Sequence, residues 1–422
     1  MRGSGTIREY VSTARGFSRD AKLYLICTSL YSLMTGVQYL YLNLYALELG
    51  FDQAFIGTLV GIPAFVTAAV AIPVGFLLPR FGYRRGLLLG ISLQVTALLG
   101  WTLLPSPPFL LAASALWGLG SALTMITASP LMADVSGVQD RTHLFSIQFA
   151  AATLATVVAS AVGGVLPGLY HRLFGLPDSG PAPYRATLIT AMVIASLALV
   201  PVIWMGRHRG RTKLSLRKGE IRPYRKPLLQ LIAIQLTISC GAGLIMPFVN
   251  IFYRLEFGAS DTTLGTAFAV SSLTIVFAGL MMPLLVKRFG SVWAIALTQF
   301  VSLPFLLVMG FAPWLWISVC GYLIRTALMN MSTPTFNALS MSVVPPSLRP
   351  LAASLVSLSW NGGWALSSFV SGHVQGSVGF SPLFLAMMAF YLVSPILVVV
   401  FFRHSSPTAN DDTDPEHVAA NR

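Results

Sequence analysis

Apolar residues run along this chain in blocks of about 20 or more, the length that crosses a bilayer as a helix, and Gly, Pro and charge clusters break the blocks apart. Taken together, those breaks predict twelve spans, at 21–49, 55–78, 84–104, 109–134, 143–168, 185–205, 227–255, 262–286, 290–311, 313–343, 350–373 and 382–402. Tight connections such as PSPP (105–108) join most of them, whereas YHRLFGLPDSGPAPY (170–184) is long and turn-rich. The pattern therefore predicts an all-α membrane protein. Its organisation is a segment 1–20, a six-helix bundle 21–205, a linker 206–226, a second six-helix bundle 227–403 and a polar tail 404–422 expected to be disordered.

Composition agrees. Only 10% of the 422 residues are charged, against roughly 25% in soluble domains, and the mean hydropathy is +0.74. No signal peptide is expected, because the first apolar run, Ala21 to Leu49, is too long for one and no A-x-A site follows it. Cys27, Cys240 and Cys320 all fall inside apolar spans, so neither a disulfide framework nor a metal or redox motif is expected.

The net charge of +13 is distributed by loop. Nine Lys and Arg fall in 206–227, and Arg80, Arg84, Arg85, Arg141, Lys287, Arg288 and Arg349 sit in every second connection. That alternation follows the positive-inside rule and predicts both termini to be cytoplasmic. It argues against nucleic acid as a partner, although the linker can touch anionic lipid.

The two bundles repeat each other at an offset of 208 residues. YALELG (45–50) matches YRLEFG (253–258), Gly57-Thr58 matches Gly265-Thr266, and RFG recurs at 80–82 and 288–290. Arg141 matches Arg349, and Ser160, Val162 and Gly164 match Ser368, Val370 and Gly372. Only spans 4 and 10 slip, where Pro130 pairs with Pro334. Six spans per repeat is an even number, so the halves share one orientation and are related by an axis along the membrane normal, with a path between them.

With this repeat, the chain resembles the major facilitator superfamily of secondary transporters from residue 21 to 403. GFLLPRFGYRR (75–85) is similar to the family's loop between spans 2 and 3, with Gly75, Arg80, Gly82, Arg84 and Arg85 in register. Pro79 stands where the family usually has an aspartate that latches the outward-open form, so the residue of that latch is absent at this position. Asp134, Arg141, Arg288 and Gly290 complete the gating set, with Asp134 as the nearest partner for Arg84 or Arg85. The family's antiporter pattern in span 5 is poorly met by ASAVGGVLPG (159–168), whose small residues suit close helix packing.

The resemblance implies that spans 1, 4, 7 and 10 line the cavity. On span 1, Tyr31, Thr35, Gln38 and Tyr45 share a face, either for the pathway or for interhelical hydrogen bonds. Span 7 offers Gln235, Ser239 and Asn250 around GAGLIMP (241–247), a stretch expected to kink and free backbone groups. Span 10 carries a polar stripe of Thr326, Asn330, Thr333 and Asn337. Arg325 borders it, about 16 Å below the outer end and near the midplane.

No carboxylate is expected at the depth of Arg325. Its guanidinium therefore meets protein carbonyls and amides such as Asn330 and Gln38, or an incoming anion, or changes partners between states. In WNGGW (360–364), Trp360 and Trp364 share a face, as a cavity wall, beside a hinge, or as packing. Glu48, Glu256 and His373 are the candidates for ion coupling, with helix-end capping as the other reading of the two glutamates.

Together these features predict a secondary transporter in the cell membrane (the inner membrane of a bacterial cell), working as a monomer by alternating access on a small-molecule substrate, with lipid around it and no cofactor or metal. Export of amphipathic or anionic compounds is the expected role. A lipid or lysolipid flippase on the same scaffold, or an uptake permease for an organic anion or sugar, are the alternatives. The absence of H-E-x-x-H, G-x-S-x-G and membrane aspartate pairs argues against an enzyme.

Overall fold

A computed structural model describes residues 16–136, 141–177, 180–206 and 221–403. The polar tail, most of the linker and residues 1–15 lie outside them. The first half contains α1 (Arg19–Glu48), α2 (Gln53–Phe81), α3 (Tyr83–Leu103), α4 (Pro107–Val135), α5 (Arg141–Gly163), the short α6 (Leu166–Phe174) and α7 (Pro181–Trp204). The second contains α8 (Arg225–Ile245), a 3-10 turn (Met246–Phe248), α9 (Val249–Phe257), α10 (Asp261–Phe311), α11 (Leu315–Met331), α12 (Thr333–Ser342), α13 (Arg349–Val378) and α14 (Ser381–Phe402).

Twelve crossings result among the described residues, and four of the predicted spans are built differently from simple rods. Span 7 is α8 and α9 joined through the 3-10 turn. Spans 8 and 9 are the two parts of α10, separate helices that meet at Gly290, whose φ of 77° and ψ of 162° are not helical. Span 10 breaks at Ser332 into α11 and α12, with Pro334 in the first turn of α12, where its missing N–H costs nothing. Eight of the described helices are long and apolar enough to cross a membrane on length and composition. Spans 1, 10 and 11 fall outside that set, and these three carry much of the polar wall described below.

The 208-residue repeat is visible as structure. Gly82 and Gly290 both have positive φ, 91° and 77°, and each turns the chain between two spans. Arg141 donates to the carbonyl of Ala133 at 3.1 Å, and Arg349 donates to that of Met341 at 3.2 Å. Adding 208 converts the first pair into the second. Each arginine thus satisfies a carbonyl near the end of the preceding span, where a cation is also favoured by the helix dipole.

The side of the bundle away from the termini, called distal here, is where the halves meet. α2 packs on α13, and α5 packs on the first part of α10. Both crossings are made by repeated glycines. A Cβ on Gly57 would stand 2.7 Å from the Ser368 carbonyl oxygen, and one on Gly265 would stand 2.5 Å from that of Ser160. A Cβ on Gly372 would stand 2.5 Å from the Gln53 carbonyl oxygen, and one on Gly164 would stand 2.9 Å from that of Asp261. The four contacts form two pairs related by the same offset of 208.

Two amides reinforce this seam. Asn43 Nδ2 donates to the Pro247 carbonyl at 2.6 Å, and Asn250 Nδ2 donates to the Leu40 carbonyl at 2.8 Å. A shift of 207 residues maps one bond onto the other, so the clasp is reciprocal. Beside it, Arg254 is ion-paired with Asp261, which also accepts from the Tyr184 hydroxyl at 3.1 Å across the seam.

Packing follows the same division. One hydrophobic cluster runs through both halves, uniting Met34, Tyr41 and Trp101 with Phe248, Tyr253 and Phe384. Towards the termini the core is split. Tyr24, Leu87, Leu131 and Val202 form one cluster in the first half, and Ile234, Ile295, Leu339 and Val398 form another in the second.

Candidate substrate cavity

Between the halves lies a cavity of about 580 Å³, walled by α1, α4, α5, α8, α10, α11, α13 and α14 and reaching Thr333 at the start of α12. Six of the eight residues expected to meet substrate reach it: Tyr31, Gln38, Arg325, Thr326, Asn330 and Trp360. Asn330 and Thr333 are exposed, so the cavity opens towards the side of the termini.

The other two lie elsewhere. Gln235 is half-buried on α8 and lines none of the cavities described here. Asn250 is buried in the clasp, with Oδ1 accepting from the Ile251 amide at 2.9 Å. The 3-10 turn separates it from Gln235 and Ser239, so one helical face does not continue through all three.

The freed carbonyls of the span 7 break accept hydrogen bonds from other spans. That of Met246 accepts from the Tyr39 hydroxyl at 3.0 Å and that of Pro247 from Asn43, while Ser371 donates to Leu244. The break is therefore the docking point of α1 and α13.

Arg325 is 2% exposed, and among the described residues it is the one charged side chain on the cavity wall. Its acceptors are not the expected amides. Nη1 meets the Met246 thioether sulfur at 2.7 Å, Nη2 donates to the Tyr391 hydroxyl, and the guanidinium carbon lies 4.9 Å from the centre of the Tyr391 ring. Asn330 instead donates to the Thr326 carbonyl at 2.8 Å. Arg325 Nε and Thr326 Oγ1 are buried without a hydrogen-bond partner.

The cation is thus held by a weak sulfur acceptor, a neutral hydroxyl and a π face. A cation–π contact contributes on the order of 0.5–2 kcal/mol, whereas a charged group placed at bilayer depth costs at least about 2.5–3.5 kcal/mol. No carboxylate lines the cavity among the described residues to close that gap.

Aromatic groups form much of the remaining wall. Tyr39 meets Phe268 edge-on at 5.9 Å, Phe268 lies 5.8 Å from Tyr322, and Trp360 and Trp364 are 5.6 Å apart. Tyr31 takes part in a buried network, accepting from Gln94 Nε2 at 3.1 Å and lying 3.3 Å from the Thr124 hydroxyl. Sequence reasoning missed Met246, Tyr391 and Gln94 as polar partners. Tyr391 did leave a trace, because it is the one tyrosine in the very apolar span 12.

The gating and coupling candidates fall outside the cavity. Arg84 donates to the Ile203 carbonyl at 2.5 Å, near the end of α7, and Arg85 is exposed. Asp134 occupies the last turn of α4. A Cβ on Gly75 would meet nothing within 4 Å. The Arg80 side chain lies outside the described residues, and Arg288 stacks on Phe289 at 5.3 Å. Glu48 accepts from the Gly180 amide at 3.1 Å, Glu256 is exposed, and His373 is exposed with Nδ1 2.9 Å from the Phe369 carbonyl oxygen. All three coupling candidates are distal.

Two pseudo-symmetric six-helix halves closing around a central cavity define the fold of a membrane transporter. The family model of the Major Facilitator Superfamily matches residues 24–235 and 231–420, and the chain belongs to that family. The human vesicular acetylcholine transporter is 23% identical over 359 residues, covering 83% of this chain and 66% of the relative. An uncharacterized MFS-type transporter of Escherichia coli K12, YhhS, is 24% identical over 270 residues, covering 63% of this chain and 60% of its own. The chain thus spans slightly under two thirds of the length of these relatives.

Among solved structures, the D-xylose-proton symporter aligns with a TM-score of 0.71 at 14% identity, covering 93% of this chain and 98% of that one. The nucleoside transporter NupG aligns with 0.71 at 13%, covering 92% and 99%. At that identity the likeness establishes the fold. The proteins named in these comparisons are transporters, not enzymes.

Proposed function

We propose that this protein is a monomeric secondary transporter that exports small amphipathic organic anions by alternating access, with Arg325 as the pole that binds the negative charge. The observation that carries the proposal is a buried guanidinium facing an aromatic cavity with no carboxylate on its wall among the described residues. An anion there adds charge-assisted hydrogen bonds, each contributing about 1.5–3 kcal/mol, to donors that now have only sulfur and phenol. The cargoes named for the relatives differ in charge, and a cation such as acetylcholine is a poor match for this pole.

With the basic loops and termini in the cytoplasm, the divided core and open mouth correspond to an inward-open state, and the glycine seam is the closed outer gate. Export then needs no proton relay in the cavity. The loaded carrier crosses with Arg325 neutralised, and the empty carrier returns with its positive charge. One negative charge leaves per cycle, and an inside-negative potential drives it at about 2.3 kcal/mol per 100 mV. Glu48, Glu256 and His373 act in this reading as distal structural groups, not as the coupling site.

The proposal is tested by thermal stabilisation of the purified protein across organic anions, neutral sugars and quaternary amines. Anions should raise the Tm of the wild type and not that of Arg325→Ala. Anion stabilisation that survives the substitution refutes the role of Arg325, and stabilisation by cations alone refutes the substrate class.

A further inference from the structure

A second cavity of about 440 Å³ adjoins the first and lies between α1, α2, α4 and α13. The two share a wall of Tyr31, Gln38, Tyr39, Trp117, Ser121, Trp360 and Trp364. Beyond that wall the second cavity is bounded by Leu42, Leu59, Val60, Pro63, Ala64 and Met125, and no charged side chain lines it among the described residues.

The polar side chains found on its wall alone are already engaged. Asn43 donates to the Pro247 carbonyl at 2.6 Å, Thr67 to that of Gly118 at 2.9 Å, and Asn361 to that of Ser357 at 2.9 Å. The other polar groups on this cavity, Gln38 and Ser121 among them, belong to the wall shared with the first. The two cavities therefore divide the chemistry, with a cation in one and an uncharged chamber beside it whose far side, at Leu59, Val60, Pro63 and Ala64, is aliphatic.

We infer that the substrate is a single-chain anionic amphiphile, whose head binds Arg325 and whose alkyl tail occupies the chamber between α1, α2, α4 and α13. This inference rests on the anion-binding role proposed for Arg325 and names the class of anion. A compact polar anion would leave the aliphatic side of the chamber unused, whereas a tail removes its own apolar surface and that of Val60, Pro63 and Ala64 from water.

The test is equilibrium binding of straight-chain carboxylates, from butanoate to decanoate, to the full chain in nanodiscs, with empty discs subtracted. In the wild type Kd should fall about fourfold for each methylene that enters the chamber. Ala64→Phe, which fills the chamber, should flatten the series beyond hexanoate and leave butanoate within twofold of the wild type. Val60→Phe fills it from another turn of α2 and keeps the test valid where the first variant does not fold. Arg325→Gln should weaken every chain length by a similar factor, tenfold or more.

A wild-type series with no dependence on chain length, or a series that both filling variants leave intact, overturns the tail chamber. If binding stays dependent on Arg325 in that event, the anion site stands. Butanoate binding that ignores Arg325→Gln removes the anion site, and the present inference with it.

Discussion

Gly265→Ala places a methyl group in the crossing of α10 with α5. Its Cβ would lie 2.5 Å from the Ser160 carbonyl oxygen and 2.6 Å from Gly164 Cα, both backbone atoms that cannot rotate away. Carbon atoms pack best at about 3.5–4.0 Å, so the two helices must part by about 1 Å. Overpacking of this kind costs about 1–3 kcal/mol, and the cost applies only while the distal seam is closed. The ratio of distal-closed to distal-open molecules should therefore fall by about 5- to 150-fold. Spin labels on Phe174→Cys and Val378→Cys, both exposed distal positions in opposite halves, report the separation once Cys27, Cys240 and Cys320 are replaced by serine. The distance distribution should gain a longer component. Gly57→Ala should do the same from the other flank, and Gly279→Ala should not, because its Cβ meets nothing within 4 Å. Wild-type distances and Tm in Gly265→Ala would refute the glycine-seam account.

Asn43→Ala and Asn250→Ala each remove one of two reciprocal buried amide bonds. The same spin-label pair should shift towards the open form by similar amounts in both, each corresponding to about 1–3 kcal/mol. Tyr391→Phe keeps the ring under Arg325 but removes its hydroxyl acceptor. The empty protein should lose about 1–3 kcal/mol of stability, read as a lower Tm, and a saturating anion should restore part of it.

Much of the fold was legible because the repeat marks positions where chemistry allows no alternative. Gly57, Gly164, Gly265 and Gly372 recur because backbone meets backbone there, and Arg141 and Arg349 recur because each closes the same turn. Which helices cross was not legible, since a glycine does not name its partner. Tyr31, Thr35 and Gln38 of span 1 and Thr326, Asn330 and Thr333 of span 10 line the cavity. Tyr45, on the same face of span 1, is instead buried in the core, and Asn337 lies off the cavity wall. Asn250 lies beyond a 3-10 turn, and Ser332 divides the stripe predicted on span 10. Loop 170–184 begins inside α6, whose apolar positions follow a helical period too short to stand out. The acceptors of Arg325 were hidden for a different reason. Met246 and Tyr391 lie 79 and 66 residues away, on spans brought together only by tertiary packing. Aromatic and sulfur acceptors are also poorly marked in sequence, because both residue types are common in apolar spans.

The most direct test of the account is potential-driven flux through the reconstituted protein. Proteoliposomes loaded with radiolabelled octanoate, with an inside-negative potassium potential set by valinomycin, should lose label faster as the potential is increased, at equal pH on both sides. Arg325→Ala should reduce that flux to the level of empty liposomes. Flux indifferent to the potential, or unchanged in Arg325→Ala, would contradict the account.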